Sequence, residues 1–202
     1  MGVTINWRFG QEQKYVKNTL DVAEKYAEKI KEEAVFFNVV VSVKRLSDTK
    51  LFIDMDGCET LGLDFKPMSA WEKDAKGGWG YENEVLKYFK PFDNEDHKHI
   101  KKYPDQKMLW ASGFCKTQYA KNIIEHKYIA DIIKFIAGRC NIAKVLDEAD
   151  YYHSGVLEDA NEAIASLGEM ISGLGKRLEG LGLDNIKVVK GGETKIKKVK
   201  KN

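Results

Sequence analysis

The sequence predicts an α+β fold: a mixed, largely antiparallel sheet of about five or six strands with helices mainly on one face. Three observations carry that reading. Near the N-terminus apolar and polar residues alternate with the period of a half-buried strand, the next segment switches to a helical period, and short β-branched runs bounded by turn residues then follow. The expected order of elements is strand, helix, three strands, an excursion, strand, helix, strand, helix.

Val3, Ile5, Trp7 and Phe9 alternate with Thr4, Asn6 and Arg8, which gives the first strand one buried face. From Gln13 to Glu33 the apolar set Val16, Leu20, Ala23, Ala27 and Ile30 recurs at spacings of four and three, the stripe of an amphipathic helix. Phe36 to Val43 is β-branched and aromatic, and is expected as a strand too apolar for an edge. Leu46 to Thr49 supplies a turn into a strand from Leu51 to Met55, and Asp56-Gly57 a hairpin turn into Leu61, Leu63 and Phe65. Between Pro67 and Pro104 the periodicity dissolves around Gly77-Gly78-Trp79-Gly80, so this stretch reads as an excursion or lid.

Met108 to Phe114 resumes as a strand, and Asn122 with Glu125 forms a capping-box-like start for a helix ending at Gly138. Ala143 to Leu146 is the last expected strand. Leu157, Ala160, Ile164, Leu167, Ile171, Leu174 and Leu178 then form a helical seam, which either covers the sheet or meets a second copy of the chain in a homodimer. Residues 1–185 thus read as one domain containing the 67–107 excursion, and 186–202 as a Lys-rich C-terminal tail.

At 202 residues and 43% hydrophobic the chain is long enough for one ordinary core. A net charge of +2 from 33 basic and 31 acidic side chains gives no global field for a polyanion, so nucleic acid finds a footing only on the Lys-rich tail. Cys58, Cys115 and Cys140 are odd in number, with no C-x-x-C spacing. They imply neither a disulfide framework nor a structural zinc site. With no leader pattern and no apolar run of membrane length, a cytoplasmic location is expected.

The densest chemistry lies in two polar clusters at expected strand ends, Cys115-Lys116-Thr117-Gln118 and Asp147-Glu148, which suggest one cleft. Met1-Gly2-Val3-Thr4-Ile5, Cys58-Glu59, Lys116-Thr117-Gln118-Tyr119-Ala120, His126, and Asp147-Glu148 with Tyr151-Tyr152 together resemble a family of small prokaryotic proteins. Its members begin MG(I/V)(S/T)I and carry KTQ(F/Y)A and DE-x-x-Y(W/Y). The likeness spans most of residues 1–180 and is thin between 66 and 107. It implies a site at Lys116, Thr117, Gln118, His126, Asp147, Glu148, Tyr151, Cys58 and Glu59 without implying a chemistry.

Two functions are weighed. The first is a binding or regulatory module, taking a small polar ligand or a protein partner in a polar cleft at Lys116/Gln118 and Asp147/Glu148. Lys116 lies where it favours an anion near a helix start, or else forms a structural ion pair with Asp147 or Glu148. The alternative is a metal-dependent, phosphatase-like hydrolase using Asp54/Asp56 or Asp147/Glu148. Leu51-Phe52-Ile53-Asp54-Met55-Asp56-Gly57 resembles the first motif of the haloacid dehalogenase-like phosphatases, whose two Asp act as nucleophile and acid/base beside Mg²⁺. That fold places the motif on its first strand, whereas a strand and a helix precede it here, and D-x-D-G is also ordinary turn chemistry.

Asp93, Glu95, Asp96, His97 and His99 read as a solvated surface among lysines, so no metal or cofactor is assigned. Cys115 is expected as a buried, inert thiol, because it faces away from Lys116 on a strand. Cys58, at a hairpin, is the better nucleophile candidate.

Overall fold

The alternating N-terminal segment becomes β1 (Thr4–Glu12), the central strand of a sheet, and leads into α1 (Gln13–Ala34). A 3-10 turn (Val35–Phe37), β2 (Val41–Ser47), β3 (Lys50–Met55) and β4 (Leu61–Asp64) follow. The chain continues through β5 (Met108–Lys116), α2 (Ile123–Ala137), β6 (Ile142–Asp147) and the short α3 (Tyr151–Ser154). This computed structural model describes residues 3–70, 107–117, 123–158, 161–162 and 165–166.

The fold is α+β, but its strands form two three-stranded sheets rather than one, in the orders β5-β1-β6 and β2-β3-β4. Every ladder between these strands is antiparallel, so the expected mixture of pairings is corrected as well. One antiparallel bridge, Lys66 to Trp110, joins the two, with N–H···O bonds of 3.0 and 2.9 Å in the two directions.

Along β1 the expected alternation holds: Ile5, Trp7 and Phe9 are buried while Thr4, Asn6 and Arg8 are partly exposed. The apolar face packs with α1, α2 and the inner residues of the second sheet, among them Leu51, Ile53, Leu61 and Leu63, in one core cluster. Burying such a side chain contributes about 1.5–3 kcal/mol. A one-residue slip of β1 would therefore forfeit several such contributions, which fixes the register. Two aromatic-on-glycine pairs lock it further, since Trp110 lies opposite Gly10 and Trp7 opposite Gly113. A Cβ at Gly10 would come within 2.8 Å of the Trp110 ring, so only glycine lets the indole lie flat on the strand.

In α1 every position of the expected stripe, Val16, Leu20, Ala23, Ala27 and Ile30, is buried. The expected strand from Phe36 to Val43 is corrected. Val35 to Phe37 prolongs the helix as a 3-10 turn, Asn38 ends it in the left-handed region at φ 55, and pairing starts only at Val41. Phe36 is 85% exposed, and β2 is an outer strand of its sheet, so the apolar run did not mark an interior strand. The Asp56-Gly57 turn forms as expected, with Gly57 at φ 81, where a side chain would be strained.

Of the C-terminal seam, Leu157 packs against the core, while Ala160, Ile164, Leu167, Ile171, Leu174 and Leu178 lie outside the described residues. So do most of the 67–107 excursion, including Asp93 to His99, and the whole 186–202 tail. No helix among the described residues is long and apolar enough to cross a membrane.

Candidate functional site

Because β1 pairs antiparallel with β5 on one side and β6 on the other, the C-terminal ends of both outer strands arrive beside its first residues. Thr4 lies opposite Lys116, and Ile5 lies between Cys115 and Asp147. The two polar clusters of the sequence therefore do meet at one end of the sheet. Alternation then divides them between its two faces.

On the inner face Thr117, His126 and Asp147 form a buried chain of hydrogen bonds. Thr117 continues β5, donating its backbone N–H to the Val3 carbonyl at 3.0 Å. His126 projects from the first turn of α2, with Nδ1 2.7 Å from Thr117 Oγ1 and Nε2 3.2 Å from Asp147 Oδ2. The His126 and Asp147 side chains have no exposed surface, and Thr117 is likewise fully buried.

Asp147 ends β6 and also gathers the chain that follows it. Its Oδ1 accepts the N–H of Ala149 at 2.9 Å, and its Oδ2 that of Tyr152, also at 2.9 Å. Burial alone would raise its pKa. The hydrogen bond and charge of His126, with the two backbone N–H donors, outweigh burial and hold the carboxyl below its ordinary value of 3.8. Tyr151 sets its ring edge against His126, with centroids 6.2 Å apart, and its hydroxyl reaches Asp131 at 3.4 Å.

A carboxylate can only accept, so Nε2 of His126 carries the hydrogen shared with Asp147. In the neutral ring Nδ1 accepts the Thr117 hydroxyl. In the imidazolium it donates to Thr117 Oγ1, and the Val3 carbonyl, 3.5 Å away, takes the threonine hydrogen. Both proton counts thus leave the chain of bonds satisfied. Hydroxyl, imidazole and carboxylate are the groups of a nucleophilic relay, but a hydroxyl without exposed surface cannot reach a substrate carbonyl. The arrangement is a support that ties β5, α2 and β6 together.

On the outer face Lys116 pairs with Glu59 at 3.4 Å, the two side chains 39% and 40% exposed. Its ammonium also sits 5.5 Å from the Phe114 ring centroid. Glu59 is held in place by its backbone N–H, which donates to the Lys116 carbonyl at 3.0 Å. The exposed Glu148 extends the same row across β1, through its N–H to the Thr4 carbonyl at 3.1 Å. Its backbone thus lies across β1 from that of Lys116, two strand spacings or about 10 Å away. The expected structural pair of Lys116 with Asp147 or Glu148 is thus replaced by one with Glu59. Gln118 lies outside the described residues.

Cys58 and Cys115, for which the sequence implied no disulfide framework, come together because the loop before β4 docks on β5. The Cys115 thiol donates to the Glu59 carbonyl at 2.8 Å. It is fully buried, and the adjoining Cys58 thiol together with burial raises its pKa strongly. No sequence signal could have disclosed this neighbour, since the two residues meet only through the joint between the sheets.

Asp54 and Asp56 are exposed. Asp54 accepts the Thr60 hydroxyl, on a strand flanked on both sides by antiparallel neighbours. The phosphatase motif it resembles sits at the end of a parallel strand. Among the described residues no three His, Cys, Asp or Glu side chains converge on a metal position. Comparison of the chain with protein-family models, with curated proteins and with solved structures gives no match in any of the three.

Proposed function

We propose that this protein is a binding or regulatory module that takes a small polar ligand, or the terminus of a protein partner, at the outer-face rim of Lys116, Glu59 and Glu148. The family resemblance adds Gln118, which follows directly on the chain. The observation that carries the reading is the half-exposed Lys116–Glu59 pair, formed between the end of β5 and the loop docked on it, next to the buried network that ties β5, α2 and β6 together. A binding rim needs its charges presented in fixed geometry by supported backbone. Thr117, His126, Asp147 and Tyr151 supply that support from the inner face rather than meeting the ligand themselves.

An exposed ion pair offers a ligand both signs at once, and its own strength is small enough to be exchanged. A zwitterion, with a carboxylate for Lys116 and an ammonium for Glu59 or Glu148, matches this presentation. Glycylglycine is a suitable probe, with acetate and ethylamine as single-charge controls. Amide shift changes in an NMR titration should centre on Lys116, Glu59 and Glu148, should exceed those with either control, and should disappear in Lys116→Gln. Shifts scattered over the surface, or equal for all three probes, would remove the reading.

A further inference from the structure

The loop carrying Cys58 is fastened to the end of β5 by two hydrogen bonds running in opposite senses. The Glu59 N–H donates to the Lys116 carbonyl at 3.0 Å, and the Cys115 thiol donates to the Glu59 carbonyl at 2.8 Å. Cys58, the residue before Glu59, is partly exposed and packs against the core cluster to which the fully buried Cys115 belongs. Both are free thiols. Of the two neighbouring cysteines, Cys58 is thus partly exposed and Cys115 fully buried. That asymmetry separates a thiol that reacts first from one that closes the bond.

We infer that Cys58 and Cys115 form a dithiol–disulfide site that exchanges with small organic disulfides. In the first step the Cys58 thiol, losing its proton to solvent, attacks one sulfur of the disulfide RSSR. An S–S bond forms between Cys58 and that sulfur, and the other leaves as RS⁻, which takes up a proton. In the second step Cys115 loses its proton, attacks the Cys58 sulfur and expels the second RS⁻. The balance is protein dithiol plus RSSR giving protein disulfide plus two RSH, with RSSR as the oxidant. The bond would tie the loop before β4 to β5 and so reinforce the Lys66–Trp110 bridge between the sheets.

The chemistry also fixes the rates. In the dithiol the Cys58 thiol and burial together hold Cys115 protonated; once Cys58 is in the mixed disulfide burial alone does so, and closure is the slower step. In the reverse direction Cys115 is the leaving group, and a high-pKa thiol leaves slowly. The disulfide therefore resists reduction once made. Cys140, whose thiol burial pushes up to about 12, has no part in the exchange.

The test uses the full chain incubated with glutathione disulfide and followed by intact mass and peptide mapping. Wild type should pass through a mixed disulfide at Cys58 to a Cys58–Cys115 cross-link, with a raised melting midpoint. Cys115→Ser should stop at the mixed disulfide, and Cys58→Ser should take up no glutathione. Should Cys115→Ser fail to fold, Cys115→Ala serves in its place, and the wild-type cross-link is decisive without either variant. A wild type that stays reduced at every glutathione ratio, that keeps a mixed disulfide without closing, or that reacts first at Cys140 would overturn the inference.

Discussion

The two ends of β1 each carry a buried polar network, and the two are built from different chemistry. At its C-terminal end Gln11, 3% exposed, donates from Nε2 to Thr19 Oγ1 and to the Arg139 carbonyl, both at 2.8 Å, while its Oε1 accepts the Glu12 N–H. This network is neutral and closed, and it pins α1 and the loop after α2 to the strand. At the N-terminal end Thr117, His126 and Asp147 pin β5, α2 and β6, but with ionisable groups whose proton count can change.

The comparison breaks most sharply at His126. His126→Leu leaves the Asp147 carboxylate buried with only its two backbone donors, and stranding a buried charge by removing its hydrogen-bond partner costs about 3 kcal/mol or more. Urea unfolding should show a loss of that size, and a loss below about 1 kcal/mol would mean that the pair is effectively solvated. Gln11→Leu should cost less, about 1–3 kcal/mol, since it strands the neutral Thr19 hydroxyl and Arg139 carbonyl without stranding a charge.

Acid distinguishes the two ends further. The Asp147 carboxyl titrates lower in the folded protein than in the unfolded chain, so its stabilisation is fully present above the ordinary value of 3.8 and fades as pH falls through the lower native value. The stability gap between wild type and Asp147→Asn should therefore be constant near neutrality and narrow only below about pH 4. A gap that already narrows at pH 6 would assign the titration to a group other than Asp147. The deficit of Gln11→Leu should show no such narrowing. The smallest effect belongs to the rim, where Lys116→Ala should change stability by less than about 1 kcal/mol and the change should shrink with added salt. A larger, salt-independent loss would make the Lys116–Glu59 pair structural and weaken the binding proposal.

Much of the architecture was legible from residue order because it rests on local periods. The alternation of Ile5, Trp7 and Phe9, the stripe from Val16 to Ile30 and the Asp56-Gly57 turn each follow from backbone geometry a few residues long, and each is found. The same logic misled at Phe36, where hydrophobicity was taken for burial although Asn38 ends the helical path just beyond. Of the site, the sequence disclosed that Lys116-Thr117 and Asp147-Glu148 would reach one end of a sheet, since both clusters close apolar strands.

What the sequence by itself determined, then, is the type and apolar face of β1, α1 and the Asp56-Gly57 turn, where local period and turn chemistry decide. Only the tertiary structure decided that the strands among the described residues divide into two sheets, that Asp147 turns inward to His126 while Lys116 turns outward to Glu59, and that Cys58 lies against Cys115. The reason is physical. Period and turn chemistry act over a few residues, whereas the choice of partner depends on registers between segments far apart in the chain. A shift of one residue in those registers moves a side chain to the opposite face.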